Sequence, residues 1–112
     1  MPRDYRVYLE DMLEAGEKIH RYSEGLSFND FVSDEKTMDA VIRNLEILGE
    51  AAKQVPDFAR QANPQVDWSR ISGLRDILIH QYFGIDAAIV WDIVQNKLPT
   101  LRQQISQILA LL

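Results

Sequence analysis

The chain has no cysteine, which excludes disulfide bonds and thiolate zinc sites. It has only two histidines, His20 and His80, so imidazole chemistry has two addresses at most. The longest apolar run, Ile108 to Leu112, is far shorter than the ~20 residues that a bilayer-spanning helix needs. The charged opening Met-Pro-Arg-Asp-Tyr-Arg has no apolar stretch behind it, and no signal peptide or membrane association is expected. Strand-like alternation, internal repeats, linkers and low-complexity tracts are missing as well. The 112 residues are therefore read as one domain, 1–112, of a cytoplasmic protein, long enough to bury a core without staples.

Acidic groups outnumber basic ones, 17 to 12, for a formal net charge of −5. A uniformly acidic surface opposes nucleic-acid binding, but the charge is unevenly distributed. Residues 1–50 hold six Lys/Arg and twelve Asp/Glu, whereas residues 51–112 hold six and five. Lys53, Arg60, Arg70 and Arg75 lie in the less acidic half, where a local basic patch is expected.

Apolar residues recur with helical spacing throughout. Tyr5, Leu9, Met12, Gly16 and Ile19 form a first stripe, with Pro2 suited to its start and Gly25 to its end. Ser27 with Asp30 three residues on predicts a capped short helix around Phe28 and Phe31. Ser33 or Asp34 can cap a second long helix, whose stripe is Met38, Val41, Leu45, Leu48, Ala52 and Val55 and which stops before Pro56. Its small residues Gly49, Ala51 and Ala52 admit close approach of a neighbour. Residues 56–62 read as a short helix with proline at its first position, broken by Asn63-Pro64. Asp67 can cap a further helix with Trp68, Ile71, Leu74 and Leu78 inward and Gly84 as a left-handed exit. Asp86 caps the last one, with Trp91, Val94, Leu98, Leu101, Ile105, Ile108 and Leu112 on its stripe. That register runs through Pro99, which predicts a kinked helix or two collinear ones. The fold class is all-α, an antiparallel four-helix bundle with short additional helices, and Trp68 and Trp91 are its expected anchors.

The chemistry concentrates in residues 75–82, Arg-Asp-Ile-Leu-Ile-His-Gln-Tyr. His80 can move protons near neutral pH, and the planar guanidinium of Arg75 can hold a phosphate or a developing phosphorane. Together they suffice for metal-free cleavage of RNA, in which the substrate's own 2'-hydroxyl is the nucleophile. Taken singly, each residue also has a structural reading. A histidine late in a helix gains from the carbonyl end of the dipole, Arg75 and Asp76 can be solvated surface groups, and Tyr82 can be a half-buried core tyrosine. As functional groups, Asp76 can orient His80 four residues on, and Tyr82 can stack a base or bond a phosphate. On an ideal helix, Arg75 and His80 are separated by about 140° and about 7.5 Å, so they do not share a face. Two chains about a two-fold axis could bring both segments into one cleft.

Other constellations carry less. Glu17-Lys-Ile-His20 is a single Glu-x-x-His, whereas carboxylate-bridged di-iron bundles use two with paired glutamates, so no metal or other cofactor is expected. Arg43, Glu46 and Glu50 read as an ion-pair face.

Arg75-x4-His80-x-Tyr82, with polar Asp76 after the arginine, resembles the motif of the HEPN ribonucleases, and the x-Tyr extension resembles their HepT branch. Ala40-Val-Ile-Arg-Asn-Leu-Glu-Ile-Leu-Gly-Glu-Ala-Ala-Lys53 resembles that branch's second long helix. Val66-Asp-Trp-Ser-Arg-Ile-Ser-Gly-Leu74 resembles the lead-in, and Tyr82-Phe-Gly-Ile-Asp86 the exit; the likeness spans roughly residues 3 to 110. The resemblance implies a HEPN-like bundle and an endoribonuclease toxin with Arg75 and His80 catalytic and Asp76 and Tyr82 supporting. It further implies a composite site in a homodimer. The implied partner is a cognate minimal nucleotidyltransferase antitoxin, MntA-like, that silences the toxin by transferring AMP to Tyr82. The alternative reading is a non-catalytic helical module that binds a nucleotidyltransferase or a nucleotide. A plain structural bundle explains the stripes but leaves the octet without a purpose.

Overall fold

The computed structural model describes residues 4–74, 78 and 86–112. Helix α1 spans Tyr5–Ser23, where the Asp4 carboxylate accepts the Arg6 backbone N–H at 3.0 Å. Leu9, Met12, Ala15, Gly16 and Ile19 form its buried stripe. Beyond the last turn, Gly25 takes φ +78°, a left-handed conformation that a side chain would strain. Helix α2, Phe28–Ser33, opens on a reciprocal cap. Ser27 Oγ accepts the Asp30 N–H, and Asp30 Oδ2 accepts the Ser27 N–H, both at 3.1 Å. Phe31 is fully buried.

Helix α3, Glu35–Gln54, is capped by Asp34. One carboxylate oxygen accepts the Thr37 N–H at 3.1 Å and the other the Thr37 hydroxyl at 2.7 Å. Val41, Leu45, Leu48, Ala51, Ala52 and Val55 are buried along it, while Met38 is half-buried. Pro56 stands one place outside the short helix it was expected to begin. Helix α4 is Asp57–Ala62, and Pro56 caps it in an extended conformation through its carbonyl, which accepts the Ala59 and Arg60 N–H groups. Helix α5, Trp68–Ser72, starts where the Asp67 carboxylate accepts the Arg70 N–H at 3.2 Å. Trp68, Ile71, Leu74 and Leu78 are all buried, the inward set that the spacing predicts. The expected Gly84 exit lies outside the described residues.

The last helical run is continuous from 87 to 110. It comprises α6 (Ala87–Asp92), a π turn (Ile93–Lys97) and α7 (Leu98–Ala110). Asp86 caps it by accepting the Ala88 N–H at 2.9 Å. Pro99 lies in the first turn of α7, just after the π turn that joins α7 to α6. An α-helical ladder would require an N–H from Pro99 and bring its ring against the carbonyl four residues back. The ladder instead switches pattern just before it, with the Leu98 N–H bonding the Ile93 carbonyl five residues back. The inward position at the start of the run is Val90, which is buried, while Trp91 is half-buried and packs on Phe31 with ring centroids 5.1 Å apart. Trp68 is thus a core anchor, its indole N–H bonded to the Asn63 carbonyl at 2.9 Å, and Trp91 is a flank residue. Leu112, expected on the stripe, is exposed, because its place falls past the last turn of α7.

The described helices form an all-α, HEPN-like bundle; strands do not occur among the described residues. The pairing of α1 with α3 is the most extensive, and α5 and α2 also pack on α3. Helix α7 runs antiparallel to α1. Arg6 Nη2 donates to the Leu112 carbonyl at 2.7 Å at one end, and the stem of Arg102 crosses Gly16 further along. A Cβ at Gly16 would lie 3.0 Å from Arg102 Cγ, so the bare glycine sets that close approach. Among the described residues, no helix is long and apolar enough to cross a membrane.

The hydroxyl and then the backbone N–H of Thr37 hold the Asp34 carboxyl below its ordinary pKa. A depressed carboxylate contributes stability above the usual carboxylate range and loses it as pH falls through the folded-state pKa. Asp34→Ala is therefore expected to lower Tm at neutral pH, with the difference from the parent chain shrinking toward zero in acid. Parallel thermal melts across pH check this, and a difference that persists unchanged in acid would contradict it.

Candidate functional site

The four residues singled out in the octet, Arg75, Asp76, His80 and Tyr82, lie outside the described residues. Their surroundings are described on both sides. Helix α5 leads in, rooted by Trp68 and Ile71, and Leu74, directly before Arg75, is buried. Leu78, inside the octet, is buried too. On the exit side, Asp86 starts α6 and Val90 is fully in the core. The chain on either side of the octet is therefore anchored by apolar burial, each such side chain contributing about 1.5–3 kcal/mol.

Of the four cations expected to form a basic patch, Lys53, Arg60 and Arg70 are among the described residues and Arg75 lies outside them. Arg60 pairs with Asp57, and Arg70 pairs with Asp67, Nε to Oδ2, at 3.6 Å. In both cases an aspartate in or just before the first turn stands three residues ahead of the arginine, within reach on the same helix face. Each short helix thus neutralises its own cation locally. Arg43 and Glu46 likewise form an ion pair at 3.6 Å, in keeping with the ion-pair reading of that face. His20 lies near Glu24, with Nε2 3.9 Å from the carboxylate, and not in a ligand set. Among the described residues, no group of three or more His, Asp or Glu is arranged to hold a metal ion.

Beside the octet's lead-in, α5 and the last helical run enclose an open groove of about 540 Å³. Ile71, Leu74, Ile93, Leu98 and Leu101 supply its apolar lining; Asn96, Lys97 and Gln104 are among its polar residues. Sequence periodicity identified the core stripe of 90–112 but passed over these polar positions. A polar residue off the stripe looks like any solvated side chain until the facing helix is in place. On α5 itself the Ser72 hydroxyl oxygen is buried and has no hydrogen-bond partner among the described residues.

The family described as ribonuclease HepT-like matches residues 12–108 of the chain. Among curated relatives, the "Probable ribonuclease HepT" of Thermococcus cleftensis is 42% identical over 102 residues, covering 91% of this chain and 93% of that protein. A protein of Methanocaldococcus jannaschii named as a candidate RNase is 44% identical over 110 residues, covering 97% and 91%. Another candidate RNase, from Caldanaerobacter subterraneus, is 41% identical over 104 residues, covering 93% of each. No solved structure matches the chain.

Ser72 stands three residues ahead of Arg75, and a buried hydroxyl with no partner among the described residues costs desolvation without a compensating bond there. Ser72→Ala is expected to leave Tm unchanged or raise it by the equivalent of about 1 kcal/mol. A clear fall in Tm in a thermal melt would show that the hydroxyl has a partner after all.

Proposed function

Because the chain belongs to the ribonuclease HepT-like family, we propose that it is a metal-independent endoribonuclease whose chemistry resides in the octet. The observation that carries the proposal is the presence of Arg75, His80 and Tyr82 in their motif spacing, within the matched range 12–108. In this reading the RNA 2'-oxygen attacks the adjacent phosphorus and the P–O5' bond breaks. The products are a 2',3'-cyclic phosphate and a 5'-hydroxyl. His80 takes the 2'-proton or delivers a proton to the leaving 5'-oxygen. Arg75 neutralises the pentacoordinate phosphate, where charge peaks, and Asp76 orients the imidazole. No metal is called for, since the nucleophile belongs to the substrate and the sequence offers no cysteine and only one Glu-x-x-His. The angular offset of Arg75 from His80 supports a homodimer whose two octets share one cleft.

The same reading makes the chain a cytoplasmic toxin held in check by a cognate minimal nucleotidyltransferase of the MntA-like kind. That antitoxin transfers AMP from ATP to the Tyr82 phenol, forming a phosphodiester and releasing pyrophosphate. Tyr82 is seven residues from Arg75, about two turns on an ideal helix, so the added phosphate is within reach of that guanidinium. Its charge can engage Arg75 and occupy the place of the RNA phosphate, and inhibition then needs no refolding.

His80→Ala and Arg75→Ala are each expected to reduce RNA cleavage by about a hundredfold or more, with helical circular dichroism unchanged. The parent activity should persist in EDTA and leave 2',3'-cyclic phosphate ends. Full activity in a folded His80→Ala chain, or 3'-hydroxyl products that require magnesium, would overturn the mechanism and favour a non-catalytic binding module. For the control step, incubation with a cognate minimal nucleotidyltransferase and ATP should add AMP at Tyr82, located by peptide mass mapping. Neutralisation by AMP transfer that survives Tyr82→Phe would exclude the assignment.

A further inference from the structure

The groove between α5 and the last helical run takes no part in the chemistry above, yet its walls are the two flanks of the octet. Leu74, on one wall, directly precedes Arg75; Ile89, on the other, belongs to the helix that begins five residues after Tyr82 and is 43% exposed. At about 540 Å³, the space lies within the ~300–1,000 Å³ typical of small-ligand sites, enough for one nucleotide unit. Its apolar residues Ile71, Leu74, Ile93, Leu98 and Leu101 can receive the face of a base.

The polar residues narrow the choice of occupant. Asp67 is engaged with the Arg70 N–H and guanidinium, and Asp92 accepts from Asn96 Nδ2 at 2.7 Å. Lys97 is exposed and meets no carboxylate among the described residues. Gln104 Nε2 donates to the Gln65 carbonyl at 2.9 Å. These two bonds fix which end of each amide is nitrogen, and both side-chain carbonyl oxygens remain as acceptors. Asn96 and Lys97 stand on the π turn, a distortion that recurs at functional sites. A second copy of the chain would suit this surface less well, because lysine is depleted in the cores of protein interfaces.

We propose that the groove is a subsite for the nucleotide next to the scissile phosphate of single-stranded RNA, an inference that rests on the ribonuclease reading of the octet. The base lies against the apolar residues, and Lys97 holds the phosphate on its far side. The amide oxygens of Asn96 and Gln104 favour a base with an exocyclic amino group, so adenine, cytosine and guanine are preferred there over uracil.

The test uses the full-length chain and a fully 2'-O-methylated oligonucleotide, which lacks the nucleophile and cannot be cut, carrying one 2'-O-methyl-8-azidoadenosine. Photolabelling should map to peptides within 65–74 or 89–104. Lys97→Gln should weaken oligonucleotide binding by about three- to tenfold and lower the salt slope by about one. Gln104→Ala should reduce the preference for adenine over uracil. Labelling confined to other peptides, or unchanged binding in both folded variants, overturns the proposal. So does loss of a dimer in sedimentation with RNA binding intact, which would assign the groove to a second copy. Labelling in the groove by a chain that cuts no RNA would instead sink the ribonuclease reading and keep the groove as an RNA-binding site.

Discussion

Burial of the α3 stripe is the constraint on which the rest of the bundle depends. Val41, Leu45, Leu48, Ala52 and Val55 are almost completely removed from solvent, and α1, α2 and α5 all pack against this helix. Its partners on α1 are equally committed, with Leu9, Met12 and Ile19 at 1% exposure or less. At about 1.5–3 kcal/mol for each large side chain, this seam outweighs every polar contact in the molecule. The salt bridges among the described residues join groups three or four apart on one helix, and such exposed pairs contribute only about 0.2–1 kcal/mol each. Apolar packing therefore holds the helices together, and the charged groups decorate them.

That division of labour determines what flanks the octet. Helix α5 has only five residues, too few to persist alone in water, and it keeps its place through Trp68 and Ile71 in the core and the Asp67 cap. The last run meets the octet from the other side, and its π turn absorbs Pro99 without interrupting the buried line Val90, Val94, Leu98, Leu101. A proline that would break an isolated helix is accommodated because that line remains worth burying. The turn that accommodates it also carries Asn96 and Lys97 beside the groove. Backbone adjustment and groove chemistry thus share one place in the fold.

Most of the helical plan was legible in the residues. The capping groups Ser27, Asp34, Asp67 and Asp86 act where the spacing put them, because a cap is a local event between residues two or three apart. The periodic stripes of α1, α3 and α7 were legible for a similar reason, since one helix face is defined by its own repeat. Misreadings occurred where a distant element decided. Trp91 and Val90 are both apolar and adjacent, and only the position of α2 makes Val90 the inward residue and sends Trp91 against Phe31.

The sequence by itself determined the all-α class, most helix starts, most inward faces and the family, with the octet Arg75 to Tyr82 as the candidate chemistry. All of these are encoded in spacing along one chain segment, as repeat, cap or motif. Only the tertiary structure decided that α5 and the last helical run enclose a groove, that Lys97 and two amides line it, and that Pro99 is met by a π turn. A groove has two walls from segments fifteen residues or more apart, and the free energy that sets their separation comes largely from core side chains elsewhere in the bundle. No local pattern in either wall encodes the other, so the groove exists only once the core has packed.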